Sequence, residues 1–523
     1  MSVRLAFALL WFVVPLSRLA DADALADVRV RGALVWGGDQ EGGGPYVYPR
    51  DDDPSQVTGF EVELASRLAK YLGVEARFFQ GQWDQMPELL RTGKVDVILN
   101  GYEWSALRLE SMDATLPYYV YGLQLLGRRD DATLGGWRDL EKSRHARRRR
   151  VGVLTGSAAE AYLREHVSDS VEIIAYDGNT DAMREVETGK IDATLQDTPI
   201  AVFYGPRFPS LRAIDAPVGR GYYVIYARPG ERELVSKLDE ALIVMIRSGE
   251  LERLYRQWGI WDDAQKELLE IARAGRFYGH SKAVDVAVKP GELPAAEAVE
   301  RGRRVRGLAV ATRYGGVLAA SAGITVVLSV LSFPLAITLG LLVALGRLYG
   351  PLWLRSPLAG YVEFLRGTPL MLQLYFIFFF LPEVGINVPA FWTAIFGLAI
   401  NYSAYESEIY RAGFQAVPAG QMEAALSLGM SRALALRRII VPQAVRIVIP
   451  PVVNDFIALF KDTSVCSVVT LVELTKRFSV LSQSTQATVE LMILTAILYL
   501  LMSAPLSFLS RRLERRLAVE TPA

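Results

Sequence analysis

The pattern of hydrophobic and polar positions changes once along the chain, near Gly316, and divides it into two unlike halves. Between residues 28 and 261, short apolar runs typical of strands alternate with stretches whose apolar residues recur at helical spacing. From Gly316 onward, long apolar runs follow one another with only short polar stretches between them. The pattern therefore predicts an α/β domain of mainly parallel sheets, followed by an all-α transmembrane domain.

The α/β half contains the same succession of elements twice. The segments "TGKVDVILNG" (92–101) and "TGKIDATLQD" (188–197) each place a helix end, a glycine turn and a strand in that order. This repetition predicts two similar lobes within residues 25–261, the second over about residues 122–212. Because parallel sheets bind ligands at the carboxyl ends of their strands, we expect a ligand-binding cleft between the lobes.

Five apolar segments predict five helices in a transmembrane domain of residues 306–515. A helix needs about 20 residues to cross a hydrocarbon core about 30 Å thick, and only the second segment is shorter than this. It must therefore include polar residues that precede Thr368. Residues 262–305 mix charge, Gly and Pro and predict a partly helical linker. The apolar segments are residues 317–345, 368–382, 391–411, 443–467 and 487–509.

The first 22 residues predict a secretory signal peptide. Arg4 precedes an apolar stretch from Leu5 to Leu16, and Ala20 and Ala22 form a small-residue cleavage site. An uncleaved anchor helix is the alternative. In both cases we expect the α/β half to be exported.

An exported first half and five spans predict a multi-pass protein of the inner cell membrane with a cytoplasmic C-terminus. The arginines agree with this orientation, because they are concentrated in segments predicted to face the cytoplasm. The outer loop at 383–390 has no Lys or Arg, and the one around 468–486 has only Lys476 and Arg477. The cytoplasmic arginines are Arg347, Arg355, Arg432, Arg437, Arg438, Arg511, Arg512, Arg515 and Arg516.

Composition excludes some classes of function. The chain has 57 basic and 57 acidic residues, and a formal net charge of zero argues against a nucleic-acid-binding protein. Its one cysteine, Cys466, cannot form an internal disulfide. The three histidines are scattered without the spacing of metal ligands, so no metal site is predicted.

The most specific motif lies between the third and fourth spans, in "EAALSLGMSRALALRRIIVP" (423–442). It resembles the E-A-A-x3-G-x9-I-x-L-P loop of polar-amino-acid permeases of ATP-binding-cassette importers, with Val441 in place of Leu. In that family the loop is a short helix that docks on the ATPase subunit. The resemblance covers roughly residues 313–512 and predicts a coupling loop at 412–442. Its coupling residues would be Glu423, Ala424, Ala425, Gly429 and Pro442.

Residues 28–261 resemble the periplasmic amino-acid-binding proteins of the family 3 type, two-lobed proteins that close around a ligand. A free amino acid carries a carboxylate and an ammonium, and both need partners once the cleft excludes water. The resemblance assigns Arg108, with its planar guanidinium, to the carboxylate and Asp197 to the ammonium. The other residues expected at the ligand are Asp39, Tyr46, Trp83, Gly101, Gly156 and Ser157.

The sequence departs from the family at two places. Glu103 stands where the family has Ser or Thr, and a carboxylate there would repel a ligand carboxylate unless it pointed away. The segment "EGGGPYVYPRDDDP" (41–54) lengthens the first loop. Both leave the identity of the solute open, including a cationic or unusual one.

Charged and polar residues in the apolar half are candidates for a solute path, because an unpaired charge in a membrane is costly. We expect Pro450 and Pro451 to interrupt the fourth span, with Asn454 lining the path beside them and Glu408 as a second candidate. Structural pairing is the alternative for each. The remaining candidates are Glu363, Tyr402, Asp455, Lys461 and Asp462.

The sequence contains no G-x-x-x-x-G-K-[ST] motif. The resemblance therefore predicts a non-enzymatic transport subunit with no cofactor of its own, whose ATP is bound by a separate ATPase subunit. Its other expected partners are the lipid bilayer, a polar amino acid and a second copy of the chain, or else a different permease. Two rival functions remain, a clamp-gated ion channel and a periplasmic enzyme on the clamp fold, but neither needs a coupling loop.

Overall fold

The computed structural model describes residues 24–141, 148–176, 178–277, 306–485 and 487–517. The predicted signal peptide and residues 278–305 of the predicted linker lie outside the described residues. We call residues 24–277 the two-lobed domain and residues 306–517 the membrane domain. The described strands are β1 (Ala33–Gly38), β2 (Tyr48–Pro49), β3 (Val57–Thr58), β4 (Glu75–Gln80), β5 (Val97–Ile98), β6 (Asp113–Ala114), β7 (Tyr119–Arg128), β8 (Arg149–Leu154), β9 (Val171–Tyr176), β10 (Ala193–Asp197), β11 (Leu211–Tyr223) and β12 (Tyr226–Ala227).

The strands form one five-stranded sheet in each lobe, in the orders β4-β1-β5-β12-β6 and β11-β7-β10-β8-β9. Both sheets contain parallel pairs, such as β1 with β4 and β8 with β9. The chain passes to the second lobe between β6 and β7 and returns between β11 and β12. The two lobes are therefore joined by two crossings, and the two-lobed fold predicted from the repeated segments is confirmed.

Amphipathic helices cover these sheets. They are α1 (Ala24–Arg31), α2 (Phe60–Leu72), α3 (Met86–Arg91), α4 (Ala106–Leu109), α5 (Trp137–Glu141), α6 (Ala158–His166), α7 (Asn179–Glu187), α8 (Thr198–Tyr204), α9 (Arg232–Arg247), α10 (Glu250–Gln257) and α11 (Glu267–Ala274). In α2, Phe60, Leu64 and Leu68 recur every four residues and are fully buried, so one face of the helix enters the core. The helix ends at Gly73 in the left-handed conformation, with φ of 78°.

The first part of the predicted linker belongs to the two-lobed domain. Helix α11 packs against α9 and buries Leu268, Ile271 and Ala272. Its apolar face thus has a partner within the domain, and the stretch without described structure begins only after Phe277.

The described residues of the membrane domain form helices joined by short loops. Its helices are α12 (Leu308–Tyr349), α13 (Leu352–Gly367), α14 (Leu370–Tyr375), α15 (Ala390–Ala416), α16 (Ala419–Ser427), α17 (Arg432–Ala435), α18 (Val441–Asp462), α19 (Leu474–Thr485) and α20 (Thr488–Leu517). By length and composition, three described helices could cross a membrane: Leu308–Tyr349, Arg432–Val469 and Thr488–Leu513. A fourth candidate is the pair Leu352–Gly367 and Leu370–Val384, which is bent by 110°.

The third predicted span is α15, a 27-residue helix that is not one of the three described helices apolar enough to cross a membrane. It packs against α12, α13, α14 and α18, so its polar residues Asn401, Ser403 and Glu406 are buried among helices rather than exposed at the surface. A Cβ at Gly340 of α12 would lie 2.6 Å from the Cβ of Glu406, so glycine permits this close helix contact. A central helix needs fewer apolar residues than one that faces lipid on several sides.

The two-lobed domain packs on one end of the membrane helices. A cluster of buried apolar side chains includes Met86 and Leu89 of the first lobe together with Leu374 and Phe378 of the membrane domain. Around it, polar side chains of the first lobe bond to the same end of the bundle. Gln85 donates to the Tyr375 hydroxyl at 2.7 Å, Lys94 donates to the Val388 carbonyl at 3.2 Å, and Arg91 pairs with Glu383.

Candidate ligand-binding cleft

The cleft between the lobes is closed and encloses a cavity of about 30 Å³, the cleft cavity. Hydrogen bonds cross from one lobe to the other around it. Gly44 N donates to the Tyr204 hydroxyl at 2.9 Å, and Asn179 Nδ2 donates to the Gly42 carbonyl at 3.3 Å. The lining residues are Gly42, Tyr46, Trp83, Asn100, Gly101, Glu103, Leu154, Ser157, Ala159, Asn179, Leu195, Gln196, Asp197 and Ile200.

Two predicted aromatic residues, Tyr46 and Trp83, form walls of this cavity. The Trp83 ring packs on Tyr102 with 4.6 Å between centroids, and its Nε1 donates to the Asn100 carbonyl at 3.2 Å. The Tyr46 and Tyr223 hydroxyls are hydrogen-bonded at 2.7 Å. Both rings are therefore held in place by polar contacts at their edges.

Gly101 follows strand β5 and allows the backbone to enter the cleft. Its φ is +61°, and a Cβ there would lie 3.2 Å from the Tyr46 ring. Its N–H donates to Glu61 Oε1 at 2.7 Å. Burial raises the pKa of Glu61 to about 7, although hydrogen bonds from Tyr118 and Gly101 partly offset this effect.

Arg108 is not a lining residue of the cavity, and Nη1 of its guanidinium is bonded to the lining residue Glu103. Arg108 Nη1 donates to Glu103 Oε2 at 2.6 Å and to the Glu103 carbonyl at 2.7 Å. The guanidinium carbon lies 4.8 Å from the centre of the Tyr102 ring and 5.3 Å from that of Trp83. Glu103 lines the cavity and is 4% exposed, so the carboxylate points inward.

The second lobe supplies the beginning of helix α6, at Gly156 and Ser157. Gly156 has φ of +71°, and Ser157 caps the helix by accepting a hydrogen bond from Glu160 N at 3.3 Å. The next amide, Ala158 N, donates across the cleft to Glu103 Oε1 at 3.0 Å. The helix N-terminus thus contacts a carboxylate, as a helix dipole favours, but the carboxylate belongs to the first lobe of this chain.

Asp197 ends strand β10 and faces the cavity from the second lobe. It accepts a hydrogen bond from the Tyr223 hydroxyl. Burial and the nearby Glu103 carboxylate raise the pKa of Asp197 to about 7, against the lowering effect of the Tyr223 bond. The position is suited to an ammonium group that could replace the proton.

Asp39, like Arg108 and Gly156, is a predicted ligand residue that does not line the cleft cavity. The Asp39 carboxylate has several bonds within the first lobe. Its Oδ1 accepts from Glu41 N at 3.0 Å and Gln80 Nε2 at 2.8 Å, and its Oδ2 accepts from Trp83 N at 3.0 Å. These bonds hold the loops after β1 and β4 together. Asp39 lines a second cavity rather than the cleft cavity.

This second cavity, the vestibule, has a volume of about 320 Å³ and lies between the two-lobed domain and the membrane domain. It shares Trp83 and Leu154 with the cleft cavity. From the membrane domain, Lys476 forms an ion pair with Glu41 at 2.8 Å. The other lining residues are Asp39, Gln82, Asp84, Thr155, Ser467, Thr475 and Ser479.

A third cavity of about 570 Å³, the membrane cavity, lies among α13, α14, α15 and α18. Its polar lining includes Arg366, Asn401, Tyr402, Asp455 and Asp462, and the Tyr402 hydroxyl donates to Asp462 Oδ2 at 2.7 Å. The predicted path residues Asn454 and Glu408 lie elsewhere, since they are not among its lining residues.

Each of these two residues has a structural partner instead. Asn454 Oδ1 accepts from the Ser510 hydroxyl of α20 at 3.2 Å, and Glu408 pairs with Arg347 and Arg411. The expected break at Pro450 and Pro451 is wrong, because α18 runs helically from Val441 to Asp462. Neighbouring helices can satisfy the carbonyls that two prolines leave free, so a proline pair need not end a packed membrane helix.

The predicted coupling residues form a projecting turn between α15 and α18. Glu423, Ala424 and Ala425 lie on α16, and Pro442 is in the first turn of α18. Gly429 adopts φ of +80°, and the following amide of Met430 donates to the Ala425 carbonyl at 3.1 Å. Ala425 is buried, whereas Glu423 is exposed and Leu428 is 84% exposed.

Sequence analysis missed Tyr223, whose hydroxyl joins Tyr46 and Asp197. Its ring also stacks on Tyr121 with 4.5 Å between centroids. A signal was present, because "PYYVYG" (117–122) and "GYYVIY" (221–226) repeat one tyrosine-rich pattern, and the two segments pair at Tyr222–Val120 and Tyr223–Tyr119.

Comparison with known proteins gives two matches to protein families. Residues 37–260 match the bacterial extracellular solute-binding proteins, family 3, and residues 336–519 match the binding-protein-dependent transport system inner membrane components. The chain is 37% identical over 194 residues to the L-cystine transport system permease protein TcyB of Bacillus subtilis, covering 37% of this chain and 83% of that protein.

A second relative is the probable amino-acid ABC transporter permease protein y4tG of Sinorhizobium fredii. It is 44% identical over 155 residues, which are 30% of this chain and 67% of that protein. Among solved structures, an ancestral amino acid-binding protein, a precursor of cyclohexadienyl dehydratase, is 28% identical. Its TM-score is 0.41, and the match covers 45% of this chain and 98% of that chain.

Proposed function

The chain belongs to the binding-protein-dependent transport system inner membrane components, and we propose that it captures and conducts a polar solute of the amino-acid class for an ATP-binding-cassette importer. The observation that carries the proposal is the adjacency of the cleft cavity and the vestibule, which share Trp83 and Leu154. Because residues of the membrane domain line the vestibule, a solute that leaves the cleft meets the membrane domain directly.

The position of the two-lobed domain supports an orientation of the chain in the membrane. It contacts the start of α12 through Arg313 and the segment after α18 through Lys476, so it lies at one end of the bundle. The coupling segment between α15 and α18 lies at the opposite end of these helices. We place the two-lobed domain outside the cell and the coupling segment and C-terminus in the cytoplasm.

The coupling segment supplies a surface for a separate ATPase subunit, where ATP would be bound and hydrolysed. Its exposed apolar residues include Leu428 and Leu434, which are 84% and 44% exposed. Small residues such as Ala424 let the α16 backbone approach a partner closely. Exposed apolar side chains with charged neighbours are typical of a helix that docks in a groove.

A second membrane domain would complete the solute path. Arg366 and Asp462 line the membrane cavity yet are exposed in the isolated chain, and charges on a membrane domain require polar partners or water. A second copy of the chain, packed over this face, would enclose the cavity. We therefore propose a homodimer with two two-lobed domains and two ATPase subunits.

Uptake by proteoliposomes tests this function. The full chain is reconstituted with its ATPase subunit, with ATP inside the vesicles, and uptake of labelled amino acids and amino-acid-derived amines is measured. We expect uptake that requires both ATP and the ATPase. The variant Glu423→Lys should abolish uptake because it reverses a charge on the docking helix, whereas Glu165→Lys, on the exposed side of α6, should leave uptake unchanged.

Solute flux without the ATPase would contradict the proposal and favour a clamp-gated channel. Conversion of the solute to a new product would favour an enzyme. Normal coupled uptake by Glu423→Lys would exclude the proposed docking surface.

A further inference from the structure

The charges around the cleft cavity are not those expected for a zwitterionic amino acid. Two of its lining residues, Glu103 and Asp197, are acidic, and none of the described lining residues is basic. Arg108 forms an ion pair with the lining residue Glu103 but is not itself a lining residue. Asp197 therefore contributes a carboxylate to the cavity, and no basic side chain of the lining forms an ion pair with it.

Glu103 accepts hydrogen bonds from two groups, one in each lobe, that could otherwise receive a ligand carboxylate. Its Oε2 accepts from Arg108 Nη1 at 2.6 Å, and its Oε1 accepts from Ala158 N at 3.0 Å. One group belongs to the first lobe and the other to the N-terminus of α6 in the second lobe. Glu103 thus bridges the closed lobes in the manner of a bound carboxylate.

This arrangement is fixed by burial and by further contacts of the same residue. The Glu103 side chain is 6% exposed, and its carbonyl accepts from both Arg108 Nη1 and the Tyr226 hydroxyl. A ligand carboxylate would have to displace this ion pair or remain in the cavity beside Glu103 and Asp197. Burying a carboxylate without a partner is strongly unfavourable.

We propose that the cleft selects a cationic amine whose carboxyl group is absent or masked, with its ammonium on Asp197 and Glu103 replacing the ligand carboxylate. Decarboxylated amino acids and amino-acid amides have this chemistry. The faces of Tyr46 and Trp83 add surfaces that attract a cation. This inference rests on the proposed function and narrows its solute class.

The test is calorimetric titration of the full chain in lipid nanodiscs with matched ligands. The pairs are arginine and agmatine, lysine and cadaverine, and lysine and lysine amide. We expect the wild-type chain to bind the carboxylate-free member of at least one pair at least about tenfold more tightly, equivalent to about 1.4 kcal/mol. Glu103→Thr should reverse that preference, because it frees Arg108 and Ala158 N for a ligand carboxylate.

Glu103→Gln is a second variant that keeps the test decisive if Glu103→Thr does not fold. It keeps the shape of the side chain and removes its charge. It should gain affinity for the zwitterion in the same direction. Glu165→Gln removes a charge from the exposed side of α6 and should leave both affinities unchanged. Thermal unfolding of each variant checks that the chain is folded.

The outcomes separate this inference from the proposed function. If the wild-type chain binds the zwitterion equally well or better and imports it with ATP, the inference is overturned and the function stands. An unchanged preference in folded Glu103→Thr and Glu103→Gln also overturns it. If neither ligand class binds and no ATP-dependent uptake occurs, both are overturned.

Discussion

Lys476 of the membrane domain and Glu41 of the two-lobed domain form an ion pair, with 2.8 Å between Nζ and Oε2. Their side chains are only 3% and 13% exposed. Lys476 is one of two basic residues in the predicted outer loop, and Arg477, the other, donates to the Pro54 carbonyl at 3.4 Å. Both basic residues of that predicted outer loop therefore contact the two-lobed domain.

Reversing one charge of this pair should impair transport. In Lys476→Glu or Glu41→Lys, two like charges face each other in a buried site, which weakens the docking of the domains. We expect ATP-dependent uptake to fall at least about tenfold in each single variant, equivalent to about 1.4 kcal/mol. The double exchange should recover most of the activity. Initial uptake rates in proteoliposomes measure the effect.

The matched control is the exposed pair Lys237 and Glu240 on α9, whose side chains are 41% and 45% exposed. Reversing either of its charges should leave uptake unchanged, because surface ion pairs contribute little. Normal transport by Lys476→Glu and Glu41→Lys would show that this ion pair is not needed for the docking of the two domains.

Solute binding should strengthen as the pH rises through about 7. The pKa of Asp197 is raised to about 7, so below that pH the empty cleft holds a proton on this carboxyl. A ligand ammonium pairs with the ionised form, and binding must then release the proton. Affinity should therefore fall about tenfold for each pH unit below 7 and level off above 8. Calorimetry in buffers of different ionisation enthalpy measures the released protons.

Asp197→Asn should abolish this pH dependence and weaken binding at pH 8. The surrounding groups Glu103, Tyr46 and Tyr223 remain in the variant, so a pH profile that persists would assign the titration to one of them. Asp192→Asn, in the loop before the same strand, serves as the control.

Gly101→Ala should weaken ligand binding beyond its effect on stability. The residue has φ of +61°, where an alanine is strained by about 1–2 kcal/mol, and its Cβ would also press on the Tyr46 ring at 3.2 Å. Gly73→Ala has the same backbone strain, with φ of +78°, but no atom within 4 Å of the added Cβ. In thermal unfolding, Gly101→Ala should lose at least as much stability as Gly73→Ala, and only Gly101→Ala should lose affinity in calorimetry. Equal affinities would show that Gly101 has no role at the ligand.

The architecture could be predicted because period and repetition are local properties of the sequence. The repeated segments ending at Gly101 and Asp197 placed each residue at a strand end, and in the fold these ends face each other across the cleft. The direction in which a side chain points depends instead on contacts with residues that are distant in the sequence. The sequence marked Glu103 as unusual, but only the structure has its carboxylate on Arg108 and Ala158 N.

The membrane domain was harder to interpret from sequence because lipid and protein neighbours impose different requirements. Helix α15 is flanked by other helices, and it buries polar residues such as Asn401 and Glu406. The apolar run that marks it in the sequence is therefore shorter than the helix. Pro450 and Pro451 looked like a break, and that expectation drew attention to Asn454. Composition cannot distinguish the face of α18 that packs on α20 from the face that lines the membrane cavity.

The two faces of α18 provide a direct test of the solute path. Asp462 lines the membrane cavity and accepts a hydrogen bond from the Tyr402 hydroxyl, whereas Asn454 accepts one from Ser510 of α20. Asp462→Asn removes a charge from the cavity and should lower the uptake rate of a cationic solute by at least about tenfold, equivalent to about 1.4 kcal/mol. Asn454→Ala should lower thermal stability slightly and leave uptake within about twofold, since one hydrogen bond contributes about 1 kcal/mol. Uptake in proteoliposomes, with ATPase activity measured in parallel, distinguishes a blocked path from an uncoupled motor. The opposite result, a strong loss of uptake in Asn454→Ala and none in Asp462→Asn, would instead place the solute path on the face of α18 that carries Asn454, as the sequence predicted.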